Sequence, residues 1–97
     1  MSALKNALQK NIDAAKLLGV NMSRIALSAE KFGAENYIKT MIKRDDLGDG
    51  FDALAKMGRL DLSWQALVVD KRFGELFDDE EVNYCYMVLI DFGYTKF

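Results

Sequence analysis

Apolar residues recur at steps of three and four along nearly the whole chain, and no stretch alternates with period two for long. That spacing puts side chains on one face of an α-helix. It restricts the chain to helices that pack through their apolar faces. Leu4, Ala7, Leu8, Ile12, Ala15 and Leu18 form the first such face. Ser2 stands where a hydroxyl can accept from a free first-turn amide, and Gly19 stands where a helix ends. Ile25, Ala29 and Phe32 make the next stripe, after a cap at Asn21 or Ser23. Gly33 breaks or bends that helix. Tyr37, Ile38, Met41 and Ile42 give a third face, closed by Lys43 and Arg44 at the negative end of the helix dipole.

Residues 45–50 read Asp-Asp-Leu-Gly-Asp-Gly, the strongest loop signal in the chain. Phe51, Leu54, Ala55 and Met57 then predict a short helix stopped by Gly58. Leu60 to Ser63 reads as an extended lead-in, with Ser63 capping a helix that carries Trp64, Leu67 and Val68. Residues 70–74 turn the chain again. Asp78 with Glu81 three residues on resembles a capping box that opens the last helix. Val82, Tyr86, Leu89 and Phe92 share its apolar face, with Cys85 beside them and Gly93 at its end. Tyr84 to Ile90 is β-prone in composition, but the acidic cap and the glycine bracket a helix-sized segment. The expected fold is all-α: one small domain over residues 1–97, a compact orthogonal bundle of five or six short helices.

A chain of 97 residues is one domain by length, and no Pro-rich or Ser-rich linker divides it. It contains no His, so it cannot build a Ser-His-Asp or Cys-His nucleophile or a His-ligated metal. Cys85 is the single cysteine, which cannot close an intramolecular disulfide and fits a reducing compartment. Its apolar surroundings read as core, and a reactive thiol would want nearby cations. Polar residues interrupt any secretory core near the start, and no apolar run reaches the ~20 residues of a membrane span. The expectation is a soluble, cytoplasmic, non-enzymatic protein with no catalytic residues, metal or cofactor.

Charge divides the chain. Residues 1–44 hold eight basic groups against three acidic ones, and residues 45–97 hold five against twelve. Such asymmetry either marks an interaction surface or lets the two halves attract each other within the fold. Asp78, Asp79, Glu80 and Glu81 are the candidate protein-binding residues, as an acidic surface for a basic partner. Arg24, Lys39, Lys43 and Arg44 are the candidate nucleic-acid contacts, as cations that could meet a phosphate backbone. Asp45, Asp49 and Gly50 imitate part of a calcium loop, but Leu47 and Lys56 occupy positions that require oxygen ligands. No glycine spacing matches a phosphate-binding loop. With 51% apolar residues in so short a chain, a homodimer that covers a patch is a further expectation.

Four segments carry a resemblance: Gly50 to Leu54 (GFDAL), Gly58 to Asp70 (GRLDLSWQALVVD), Phe73 to Glu81 (FGELFDDEE) and Asp91 to Tyr94 (DFGY). In order and spacing they resemble a recurrent helical C-terminal module of bacterial multidomain proteins, some with HNH-type or restriction-like nuclease regions. The resemblance covers about half the chain, within the acidic part, residues 45–97, or about two thirds if the helix from Ala34 to Arg44 is included. Gln65 stands where the module usually has an acid. The resemblance implies a helical accessory module without the chemistry of its usual neighbours, since a module does not fix a function. The expected function is docking to a protein partner in a bacterial or phage nucleic-acid-processing or defence setting. The alternative is a nucleic-acid-binding accessory protein that uses the basic N-terminal half.

Overall fold

The computed structural model describes residues 3–95, which form six α-helices and two 3-10 turns, with no strand among the described residues. The helices are α1 Ala3–Leu17, α2 Ser23–Phe32, α3 Ala34–Arg44, α4 Phe51–Lys56, α5 Trp64–Val68 and α6 Asp79–Asp91. The 3-10 turns are Leu60–Leu62 and Lys71–Phe73. The cap expected at Ser2 lies outside the described residues.

The first helix is the hub. It lays Leu4, Leu8, Ile12 and Ala15 against α2, α3 and α5. At the centre, α5 is only five residues long, far too short to be stable by itself. Trp64, Gln65, Leu67 and Val68 are all buried, so packing against α1 and α6 is what holds it. Ser63 starts α5 as expected. Its hydroxyl accepts from the Ala66 amide at 3.4 Å and donates to the Leu60 carbonyl at 2.7 Å. The segment before it is a 3-10 turn rather than an extended lead-in, because Leu62 and Ser63 donate their amides back to Arg59 and Leu60. That turn buries Leu60 and Leu62 together.

The ends of α1, α3, α4 and α6 share one hydrogen-bond pattern, in which two amides past the helix return to carbonyls of its last turn. Glycine takes the left-handed position after α1, α4 and α6, at Gly19, Gly58 and Gly93. After α3 it is Asp45, with φ 54°, the one non-glycine residue with positive φ among the described residues.

The radius of gyration is 12.1 Å. A compact chain of this length should have about 12.5 Å, so the helices form one body. Some apolar positions fall outside it. Leu18 follows the end of α1 and is exposed, and Val20 fills the interior in its place. Phe32 is 58% exposed although it continues the Ile25–Ala29 spacing, because the chain turns at Gly33 directly after it. Leu76, Met57 and Phe92 are also partly open, although Phe92 still meets Phe51 edge to face at 4.9 Å. No helix among the described residues is long and apolar enough to cross a membrane.

Candidate functional site

The two charged sets singled out in the sequence meet at one pair, Lys39 and Glu81. Asp78 opens α6, and its carboxylate accepts the Glu81 amide at 2.8 Å. Glu81 returns the favour by accepting the Asp78 amide at 2.9 Å. The same Glu81 oxygen pairs with the Lys39 ammonium of α3 at 3.3 Å. Lys39 also sits 5.6 Å from the centre of the buried Phe77 ring. Asp78, Glu81 and Lys39 thus tie α6 to α3. Asp78, Asp79 and Glu80 are exposed, and Glu81 is partly buried.

The remaining cations lie elsewhere. Arg24 on α2 pairs with Asp49 of the 45–50 loop at 3.4 Å. Lys43 and Arg44 are exposed at the end of α3. Arg24 and Arg44 line one cleft of about 350 Å³ between α2, α3 and the 45–50 loop. Ile25, Tyr37 and Met41 form its apolar side, and Phe32 stands at its rim. Lys31 lies 5.3 Å over the Phe32 ring.

The loop that walls this cleft is internally committed. Asp45 accepts from the Tyr84 hydroxyl, Asp46 accepts the Gly48 amide at 2.9 Å, and Asp49 holds Arg24. The three carboxylates therefore point to three different partners. No group of three or more His, Cys, Asp or Glu among the described residues could hold a metal ion. Beneath the loop, the Gln65 amide donates to the Leu47 carbonyl at 3.1 Å. The Trp64 indole nitrogen lies under Gly48, where an added Cβ would come within 3.0 Å of it.

Tyr37 and Cys85 keep their protons. Burial pushes the Tyr37 phenol up to about 12, with the charges of Asp46 and Asp49 adding to it and Arg24 opposing. Tyr37 therefore remains a hydroxyl donor at neutral pH. Burial, then the charge of Glu81, pushes the Cys85 thiol up to about 12, which keeps it a core side chain rather than a nucleophile.

A second groove, of about 510 Å³, runs between α1 and the turn into α2. It is larger, but its polar groups are mostly matched. Gln9 donates to Asp13 at 3.0 Å, and Asn21 accepts the Ser23 amide at 3.0 Å. The α2–α3 cleft is the better candidate because charged, hydroxyl and exposed aromatic groups converge on it.

The sequence reading named Arg24 and Arg44 but not as walls of one cleft, and it assigned Phe32 to the core. Only the glycine after Phe32 could have signalled that the stripe ends early. Comparison with protein-family models, with curated proteins and with solved structures finds no match to this chain.

Proposed function

We propose that the chain is a small non-enzymatic docking module that takes a segment of a protein partner in the α2–α3 cleft. The observation that carries this reading is the pairing of an apolar cleft wall with an exposed aromatic and an arginine at its rim. Aromatic and arginine side chains around a small apolar patch are the groups that anchor protein interfaces. The setting that fits the resemblance is a bacterial or phage nucleic-acid-processing or defence system. The residues of the resembling segments support a scaffold role, because their work is architectural. Arg59 grips Asp61 with two bonds of 3.0 and 3.2 Å, Leu60 and Leu62 fill the interior, and Ser63 caps α5.

The alternative, nucleic-acid binding through the basic half, has less support. Lys39 is tied to Glu81 and Arg24 to Asp49, which leaves Lys43 and Arg44 as its exposed pair without ion pairs among the described residues. The test is affinity capture of the tagged chain from bacterial lysate, with and without nuclease, for the wild type and for Phe32→Ser. A protein catch that survives nuclease and is lost with Phe32→Ser supports docking in the cleft. A catch that disappears with nuclease overturns it in favour of the alternative.

A further inference from the structure

Two polar atoms under the 45–50 loop are left over from the packing of α5. The Trp64 indole nitrogen and the Gln65 side-chain oxygen have no hydrogen-bond partner among the described residues. Trp64 is 1% exposed and Gln65 is fully buried. The narrow space that they line with Leu47, Asp49 and Phe51 is too small for a water molecule. Turning the Gln65 carboxamide over does not help. Its nitrogen donates to the Leu47 carbonyl at 3.1 Å, and the oxygen would then face that carbonyl instead. Each unmade bond on a buried group counts against the closed arrangement, and here there are two.

The loop is the side that can give way, since α5 is wedged between α1 and α6. Its ties are on the surface. Asp49 pairs with Arg24, whose side chain is 84% exposed, and exposed ion pairs contribute little. Asp46 accepts from within the loop, at the Gly48 amide, and Asp45 accepts from the Tyr84 hydroxyl. Leu47 is the loop's one apolar side chain, and it is half-buried. Opening gives up the Gln65–Leu47 bond, but both partners then meet water, as do the two orphaned atoms. It also lets Asp45 leave its left-handed conformation.

Gly48 is the thin point between Trp64 and the cleft. A Cβ placed on it would lie 3.0 Å from Trp64 Nε1, 3.5 Å from Ile25 Cδ1 and 3.7 Å from Met41 Cε. Ile25 and Met41 are walls of the cleft. We infer that the 45–50 loop is a lid: it opens on an otherwise folded chain and adds the Trp64 indole N–H and the Gln65 carboxamide to the floor of the α2–α3 cleft. A segment held by few apolar contacts opens far more often than the whole chain unfolds. The lid does not depend on what the cleft docks.

Trp64 is the single tryptophan, so its indole proton gives one isolated NMR signal. The test is hydrogen exchange of that proton in the whole chain, from 0 to about 1 M urea, against the amide of Leu89 in the α6 core. Each is compared with its own unprotected rate. The indole proton should be about 100-fold or more less protected than the Leu89 amide. Its rate should stay level with urea while the Leu89 rate climbs, because a local opening exposes little surface. Leu8→Val on α1 should speed Leu89 exchange about threefold or more and leave the indole rate unchanged. Tyr84→Phe frees Asp45 and should speed the indole rate about two- to tenfold. An indole proton as protected as the Leu89 amide, with the same urea slope, overturns the lid, since Trp64 is then freed only by global unfolding. An indole rate that ignores Tyr84→Phe overturns the loop as the moving part. An ordered water bonded to both atoms in a crystal structure overturns it too, because the closed arrangement would then lack nothing.

Discussion

Gly50 and Asp45 stand at the two ends of the loop that walls the cleft, and each takes a backbone conformation that most residues avoid. Gly50 has φ 82°, and a Cβ there would lie 2.8 Å from Val20 Cγ1 and 3.0 Å from Met22 Cγ. Both neighbours are buried, so neither can step aside freely. Gly50→Ala should therefore cost about 1–3 kcal/mol, from left-handed strain and overpacking together. Urea unfolding reads this directly, and a loss below about 0.5 kcal/mol would mean that the loop shifts to admit the methyl. Asp45 is a different balance. Its left-handed φ costs about 1 kcal/mol, while its carboxylate accepts from the Tyr84 hydroxyl of α6. Asp45→Gly removes both the strain and the bond, so it should change stability by less than about 1 kcal/mol. Asp45→Ala keeps the strain and loses the bond, so it should cost about 2 kcal/mol. Equal stabilities for the two variants would show that the backbone conformation carries no strain.

Helix α6 begins with two reciprocal bonds, and the same Glu81 that closes the cap also reaches α3. The two roles separate by substitution. Asp78→Ala removes the cap acceptor and should cost about 1 kcal/mol. Glu81→Gln keeps an oxygen for the Asp78 amide but loses the charge that holds Lys39. Lys39 is a third exposed, so screening limits that loss to about 0.5–1 kcal/mol. The Glu81→Gln deficit should shrink in high salt, and the Asp78→Ala deficit should change little. Helix α5 depends on burial instead. Leu67 is 5% exposed in the middle of it, so Leu67→Ala should cost about 2–5 kcal/mol in thermal or urea unfolding. At this scale the sequence was informative where chemistry is local. The Asp78–Glu81 spacing, Ser63 before an apolar run, and a glycine after each of α1, α4 and α6 all read correctly, because caps need only neighbours in the chain. The Tyr84–Ile90 run fell to α6 for the same reason, since a satisfied cap outweighs β-prone side chains. Phe32 and Leu18 misread because periodicity does not say where the last turn leaves the core. Gln65, fully buried on the Leu47 carbonyl, was invisible as an interior group, since its partner lies 18 residues away in a loop.

Over the whole molecule the charge asymmetry is answered from within only in part. Among the described residues, the two ion pairs between distant residues, Arg24–Asp49 and Lys39–Glu81, join a cation of residues 1–44 to an acid of residues 45–97. The cleft followed from no motif, because its walls come from α2, α3 and a loop that only the packed fold brings together. That fold has a further consequence for its response to alkali. Four proton-bearing groups are held above their ordinary values, each chiefly by burial: Tyr37, Tyr84, Tyr94 and Cys85. Nearby carboxylates add to each, with Asp46 and Asp49 at Tyr37, Asp45 at Tyr84, Asp61 at Tyr94 and Glu81 at Cys85. The unfolded chain releases these protons from its ordinary values of 9.0 for the thiol and 10.0 for the phenols, while the folded chain keeps them up to about 12 at Tyr37 and Cys85. Between those limits the folded state binds more protons than the unfolded one, so stability falls as pH rises. The contribution is complete below about pH 9 and disappears as pH climbs through about 12. The urea midpoint should thus stay flat from about pH 7 to 9 and then drop steeply. Cys85→Ala should start the drop about one pH unit later, because the thiol is the first group that the unfolded chain ionises. Tyr37→Phe should make the fall above pH 10 shallower. A midpoint that stays level to pH 12 in the wild type would mean that these hydroxyls and the thiol are solvated in the fold, and that the cleft wall at Tyr37 is open to water.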